Sequence, residues 1–114
     1  MNSTFRLLLA AILASFLPAA GAQEATRLAL GEKVFNAYCK ACHDTGTARN
    51  DAPQLSEAAE WKERLGKGRN EMYWSSIEGF TGYFVMPPRG GNPALSDDEV
   101  RSAVDYLFRK AGLP

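Results

Sequence analysis

Cys39-Lys40-Ala41-Cys42-His43 is the stretch on which the reading of this 114-residue chain turns. The chain has two cysteines and one histidine, and this segment holds all three. On one helical turn, residues three apart share a face, so both thiols can reach two points on one edge of a flat macrocycle. The adjacent imidazole then projects toward the centre of that ring. Cys-x-x-Cys-His is thus the attachment pattern of c-type haem, in which each thiol adds across a vinyl group and the histidine meets the iron. Three other uses of the segment compete with this one. A thioredoxin-like dithiol needs a strand-to-helix junction, and no β-branched alternation precedes Cys39. A structural zinc site needs four ligands and is short by one unless a carboxylate joins. A disulfide across so short a loop would contribute little and leave His43 without a purpose.

A haem iron has a second axial position, and with a single histidine a two-histidine pair within the chain is excluded. The remaining soft donors are Met1, Met72 and Met86. Met86 lies in Gly79-Phe80-Thr81-Gly82-Tyr83-Phe84-Val85-Met86-Pro87-Pro88-Arg89-Gly90-Gly91, where glycines and prolines prevent a continuous helix and dictate an irregular backbone. Met72 sits in a helical stretch, where methionine is commonly a core filler. Met86 is the expected second ligand, so the expected metal ligands are His43 and Met86.

Outward from the site, the composition bounds the rest. Lys and Arg total 13 against 13 Asp and Glu, which excludes a strongly basic nucleic-acid binder, and the length suits one domain. Arg6 is followed by an apolar run from Leu7 to Leu17, too short for the ~20 residues of a spanning helix. Pro18 ends the run, and Ala20 and Ala22 are the small residues a signal peptidase requires. Residues 1–22 are therefore expected to be a cleaved signal peptide and 23–114 the domain. The expected location is the periplasm, with no stable membrane insertion after cleavage. Met1 leaves with the signal, and Arg6 with it, leaving one acidic side chain in excess. Steering by net charge should be weak.

Cys39-Lys40-Ala41-Cys42-His43, Met86-Pro87-Pro88-Arg89-Gly90-Gly91 and the closing helix together resemble a class I c-type cytochrome, closest to the cytochrome c5 group. The similarity spans about Leu30 to Leu113. It implies an all-α fold of about four helices around one covalently bound haem, with crossing terminal helices and iron that cycles between ferrous and ferric states. It also implies that the Pro53 carbonyl accepts the Nδ1 proton of His43, and that Gly31 and Phe35 pack against Tyr106. Some members of the group carry a second cysteine pair near the last helix, and this chain has none.

Periodicity places a first helix over Thr26 to Lys40, with Leu28, Leu30, Val34, Phe35 and Tyr38 as its apolar face. The turn-rich segment from Asp44 to Pro53 reads as loop. Ser56 is expected to cap a helix carrying Trp61 and Leu65, and Asn70 to cap the next, with Tyr73, Trp74 and Ile77 inward and Gly79 as its stop. Ser96-Asp97-Asp98-Glu99 is a capping box ahead of Val100, Ala103, Val104 and Leu107. Trp61, Tyr73, Trp74, Tyr83 and Phe84 are the aromatic candidates for haem contact.

With both axial positions filled the iron has no place for substrate, so the expected role is a periplasmic electron carrier and not an enzyme. A thioether ligand and an apolar pocket both favour ferrous iron. The expected partners are a redox protein donor and acceptor, with no nucleic acid. They would meet a surface formed by Lys40, Ala41, Pro87, Pro88 and Arg89. An alternative is a haem electron-transfer subunit of a larger periplasmic oxidoreductase complex. A sensor or peroxidase-like protein, in which Met86 dissociates, is a third reading.

Overall fold

The computed structural model describes residues 19–46 and 51–114. The apolar run of the expected export signal, and loop residues 47–50, lie outside the described residues. Four principal helices account for most of the described chain. They are α1 (Ala20–Val34), extended by a wide π-helical turn (Phe35–Cys39) and a short helix α2 (Lys40–His43), then α3 (Ala58–Leu65), α4 (Arg69–Glu78) and α5 (Asp97–Lys110). Between α4 and α5 a two-residue antiparallel ribbon, β1 (Phe80–Thr81) with β2 (Val85–Met86), pairs Phe80 with Met86. A single 3₁₀ turn (Pro88–Gly91) comes next.

The last helix forms as its sequence dictates. Ser96 Oγ accepts the Glu99 N–H at 3.2 Å, and Glu99 Oε2 accepts the Ser96 N–H at 2.8 Å, so two otherwise orphaned donors are satisfied reciprocally. Val100, Ala103, Leu107 and Phe108 are buried along one stripe. That stripe meets α1 at a close crossing. A Cβ on Gly31 would lie 2.0 Å from the Ser102 carbonyl oxygen and 3.0 Å from Tyr106 Cβ, so only glycine permits the approach. The Phe35 and Tyr106 rings pack beside it, with centroids 5.5 Å apart.

The first helix departs from its expected form. It begins at Ala20 and changes to a π turn at Phe35, and the Lys40 N–H bonds the Phe35 carbonyl. Such a turn holds an extra residue, and π turns within helices frequently mark functional sites. Here it carries the chain from α1 to Cys39. The buried residues of α1 and the π turn are Gly31, Val34 and Phe35, while Leu30 and Tyr38 are exposed. The expected caps are also corrected. Ser56 makes no cap: α3 starts after Glu57, whose carboxylate instead accepts the Gln54 N–H at 2.6 Å. α4 starts after Gly68, whose positive φ of 109° does the turning, and Asn70 is inside the helix. Gly79 ends α4 as expected.

One polar junction ties three helices together. Asp105 of α5 accepts from Arg27 Nε of α1 at 2.7 Å, and from an Arg69 amino group and the Tyr73 hydroxyl of α4 at 2.7 and 2.6 Å.

Candidate functional site

A cavity of about 330 Å³ lies inside this frame. It brings together Cys39, Cys42 and His43 from the segment after α1, and Met86 from the ribbon. Apolar side chains of α5, among them Val100, Leu107 and Phe108, form part of its wall, as does Trp61 of α3.

The attachment segment reaches the cavity because the π turn and α2 present it there. His43 is buried, with 9% of its surface exposed, and its Nδ1 is 2.8 Å from the Pro53 carbonyl oxygen. A carbonyl can only accept, so Nδ1 carries the proton and Nε2 is left with a free lone pair. Burial pushes the imidazole below its ordinary pKa and the Arg64 charge adds to this, while the Pro53 hydrogen bond opposes it; the neutral ring is favoured. The Trp61 ring lies against the imidazole, centroids 5.6 Å apart. Burial pushes the Cys39 thiol up to about 11, with Cys42 adding to the effect, so at neutral pH it is a thiol. A reactive redox dithiol needs the opposite shift. Among the described residues no group of three or more His, Cys, Asp or Glu could hold a metal ion, so the zinc alternative gains nothing.

Met86 is placed by backbone constraints on its loop. At Gly79, φ is +80°, and a Cβ there would lie 2.7 Å from the Met86 carbonyl oxygen. At Gly90, φ is +61°, and a Cβ would lie 2.9 Å from the Tyr38 carbonyl oxygen, so the end of the Met86 loop rests on the chain just before Cys39. Both positions need glycine, and together they bring two segments far apart in sequence to one cavity. Met72 lines the same cavity from α4.

Of the aromatic candidates, Trp61 and Phe84 line the cavity; Tyr73, Trp74 and Tyr83 do not. The phase of α4 explains two of the three. Glu71, Met72, Ser75 and Ser76 face the cavity, which turns Tyr73 to Asp105 and leaves Trp74 54% exposed. Tyr83 is at the ribbon tip, 94% exposed. Phe80 lines the cavity and was not among the candidates.

Two further residues carry no signal in the sequence. Gln54 is buried beside Pro53 with every polar atom bonded, and nothing in its local sequence announces this. Arg64 is on the cavity wall, three residues and so one helical face from Trp61, with a buried Nε–H that has no partner among the described residues. Its Nη2 pairs with Glu60 at 3.4 Å, which leaves the buried Nε–H as a donor that suits a ligand carrying carboxylates. Two thiols, a neutral imidazole with a free Nε2, a thioether, apolar walls and this donor together fit a covalently held haem.

Comparison with known proteins agrees with that donor set. A family model described as cytochrome C oxidase, cbb3-type, subunit III, matches residues 26–107. Cytochrome c-555 of Chlorobaculum thiosulfatiphilum is 40% identical over 80 residues, covering 69% of this chain and 91% of the relative. Cytochrome c5 of Azotobacter vinelandii is 34% identical over 79 residues, covering 68% and 89%. Among solved structures, a chain from the electron transfer complex of nitrite reductase with cytochrome c superposes with a TM-score of 0.62. It is 30% identical and covers 72% of this chain and 94% of that one. The cysteine pair, the helical frame and these relatives converge: the chain belongs to the class I c-type cytochromes, in the family that this model defines, and is a small haem-binding electron carrier rather than an enzyme.

Proposed function

We propose that the chain is an exported carrier holding one c-type haem, with Cys39 and Cys42 as its thioether anchors and His43 and Met86 as its axial ligands. The observation that carries this reading is the meeting of all four side chains at one cavity. When bound, the haem supplies a reversible one-electron change between ferric and ferrous iron. The protein's part is to bind, orient and exclude water. Pro53 holds the His43 proton on Nδ1, so that Nε2 is the donor. The Met86 thioether favours the ferrous state, and the apolar wall disfavours the extra charge of the ferric one. With His43 and Met86 both held to the iron, no position would remain for a substrate, and electrons would pass through the rim of the cavity.

Absorption spectra of the mature protein, oxidised, reduced and reduced with carbon monoxide, test this. A covalent c-type spectrum with a sulfur-to-iron band in the oxidised form and no response to carbon monoxide is expected. A carbon monoxide shift overturns Met86 ligation, and a protein without haem overturns the whole reading.

Export rests on Arg6, the apolar run and the Ala20-Gly21-Ala22 site. Cleavage after Ala22 would remove the first turn of α1 and leave Gln23 as the amino terminus, which the intact mass of the secreted protein reads directly. Among the described residues no helix is long and apolar enough to cross a membrane.

The partners are redox proteins, in line with a structural neighbour taken from an electron-transfer complex. The expected docking surface needs revision at one position. Lys40, Ala41, Pro87 and Pro88 are exposed, but an Arg89 amino group is bound to Asp97 at 2.8 Å and to the Leu95 carbonyl at 2.9 Å, so it serves the fold. A permanent haem subunit of a larger oxidoreductase is the second reading, favoured by the family description, which names an oxidase subunit. Co-purification with a stoichiometric partner would select it.

A further inference from the structure

We propose that Gln54 is the positioning residue that frames His43 and thereby sets its strength as a ligand, an inference that rests on His43 being the iron ligand. Gln54 is only 6% exposed, and a buried amide is tolerated only where its hydrogen bonds are made. All of them are made to the segments on either side of the imidazole. Nε2 donates to the Cys42 carbonyl at 2.8 Å and to the Ala52 carbonyl at 2.9 Å. Oε1 accepts the Thr45 N–H at 2.9 Å and the Thr45 hydroxyl at 3.2 Å. The backbone of Gln54 is held equally: its N–H bonds Glu57, and its carbonyl accepts Trp61 Nε1 at 2.8 Å.

The arrangement has a simple geometric meaning. Cys42 and Thr45 flank His43, and Ala52 and Gln54 flank Pro53. One amide therefore bridges the two short segments whose centres make the His43–Pro53 hydrogen bond. A backbone bond from the Leu55 N–H to the His43 carbonyl at 2.6 Å joins the same two segments, and the Gln54 amide satisfies the polar groups around it that this bond leaves open. With both segments fixed, the Pro53 carbonyl cannot drift from Nδ1. Trp61, which holds the Gln54 carbonyl, also packs against the imidazole at a tilt of 57°. A held Nδ1–H···O bond makes Nε2 a more basic donor, and a more basic donor stabilises ferric iron. Loosening the frame weakens the donor and raises the midpoint potential.

The test uses reduced, nitrogen-15-labelled holoprotein. The variant Gln54→Leu removes every side-chain bond of the frame. The expected result is about tenfold faster exchange of the His43 Nδ1 proton, the scale of one lost hydrogen bond, together with a higher midpoint potential. Tyr73→Phe, which removes a hydrogen bond to Asp105 outside the cavity lining and leaves every charge in place, is the control and should leave both readings unchanged. Should Gln54→Leu fail to fold, Gln54→Glu keeps the volume and the acceptor for Thr45 but removes the donor to Cys42 and Ala52, and the same two shifts are expected. Lower stability with either exchange or potential at its wild-type value overturns the proposal. A wild-type protein that lacks a ring-shifted His43 resonance refutes the ligand reading itself, and that is seen before any variant is made.

Discussion

Gly31 and Ser102 touch backbone to backbone: the space a side chain would need at Gly31 is taken by the Ser102 carbonyl, 2.0 Å from an ideal Cβ. Alanine there would add helix propensity but force α1 and α5 apart. Gly31→Ala is expected to destabilise by about 3 kcal/mol, the upper range for overpacking, with a matching fall in the denaturation midpoint. A neutral or stabilising outcome would mean that the helices do not cross at this point.

Met86 and Met72 both line the cavity, and substitution separates their roles. Met86→Ala should abolish the sulfur-to-iron band and allow the reduced protein to bind carbon monoxide. Met72→Ala should leave the spectrum intact and lower stability by about 2–3 kcal/mol, as expected for a shortened core side chain. The reverse pattern would exchange their assignments.

The capping box gives a prediction in acid. The Ser96 hydrogen bonds hold the Glu99 carboxyl below its ordinary value of 4.5. A carboxyl depressed on folding contributes stability that is present above its ordinary pKa and is lost as pH falls through the folded one. Ser96→Ala should cost about 1 kcal/mol at neutral pH. Its deficit relative to wild type should narrow below pH 4.5, as measured by denaturation across the acid range.

Asp105 accepts from two arginines and a tyrosine on two other helices, and Asp105→Asn keeps the shape while removing the charge. A loss of about 2 kcal/mol is expected, smaller at high salt because the arginines are partly exposed. Burial, with Asp105 adding, pushes the Tyr73 phenol above 10. Its contribution is full below pH 10 and is lost as pH rises through the folded value, so Tyr73→Phe should flatten the alkaline limb of the stability profile.

Lys40 and Arg89 should behave differently. Lys40→Glu, at an exposed position, is expected to leave stability unchanged and alter the salt dependence of electron transfer with a redox partner. Arg89→Ala should lower stability by about 1–2 kcal/mol through loss of the Asp97 and Leu95 contacts. Stopped-flow rates at several ionic strengths, paired with denaturation curves, separate the two.

What the chain alone determined about itself is whatever short-range chemistry can specify. Cys39, Cys42 and His43 carry their meaning in their spacing, because attachment to a rigid ring needs two thiols and an imidazole on adjacent positions of one turn. Ser96 and Glu99 announce a helix start because the cap is closed within four residues. Gly79 announces a stop because a positive φ is local. Tertiary structure decided the rest. Whether Tyr73 or Met72 faces the cavity depends on the phase of α4, which is set by Gly68 and by the pull of Asp105 from a helix distant in sequence. Whether Arg89 docks a partner or braces α5 depends on where Asp97 lies. Gln54 has no local signature, because its four side-chain bonds exist only when the segments around His43 and Pro53 are folded against each other. Those bonds reach back as far as Cys42, twelve residues away, across turn-rich sequence with no helical or strand period to announce them.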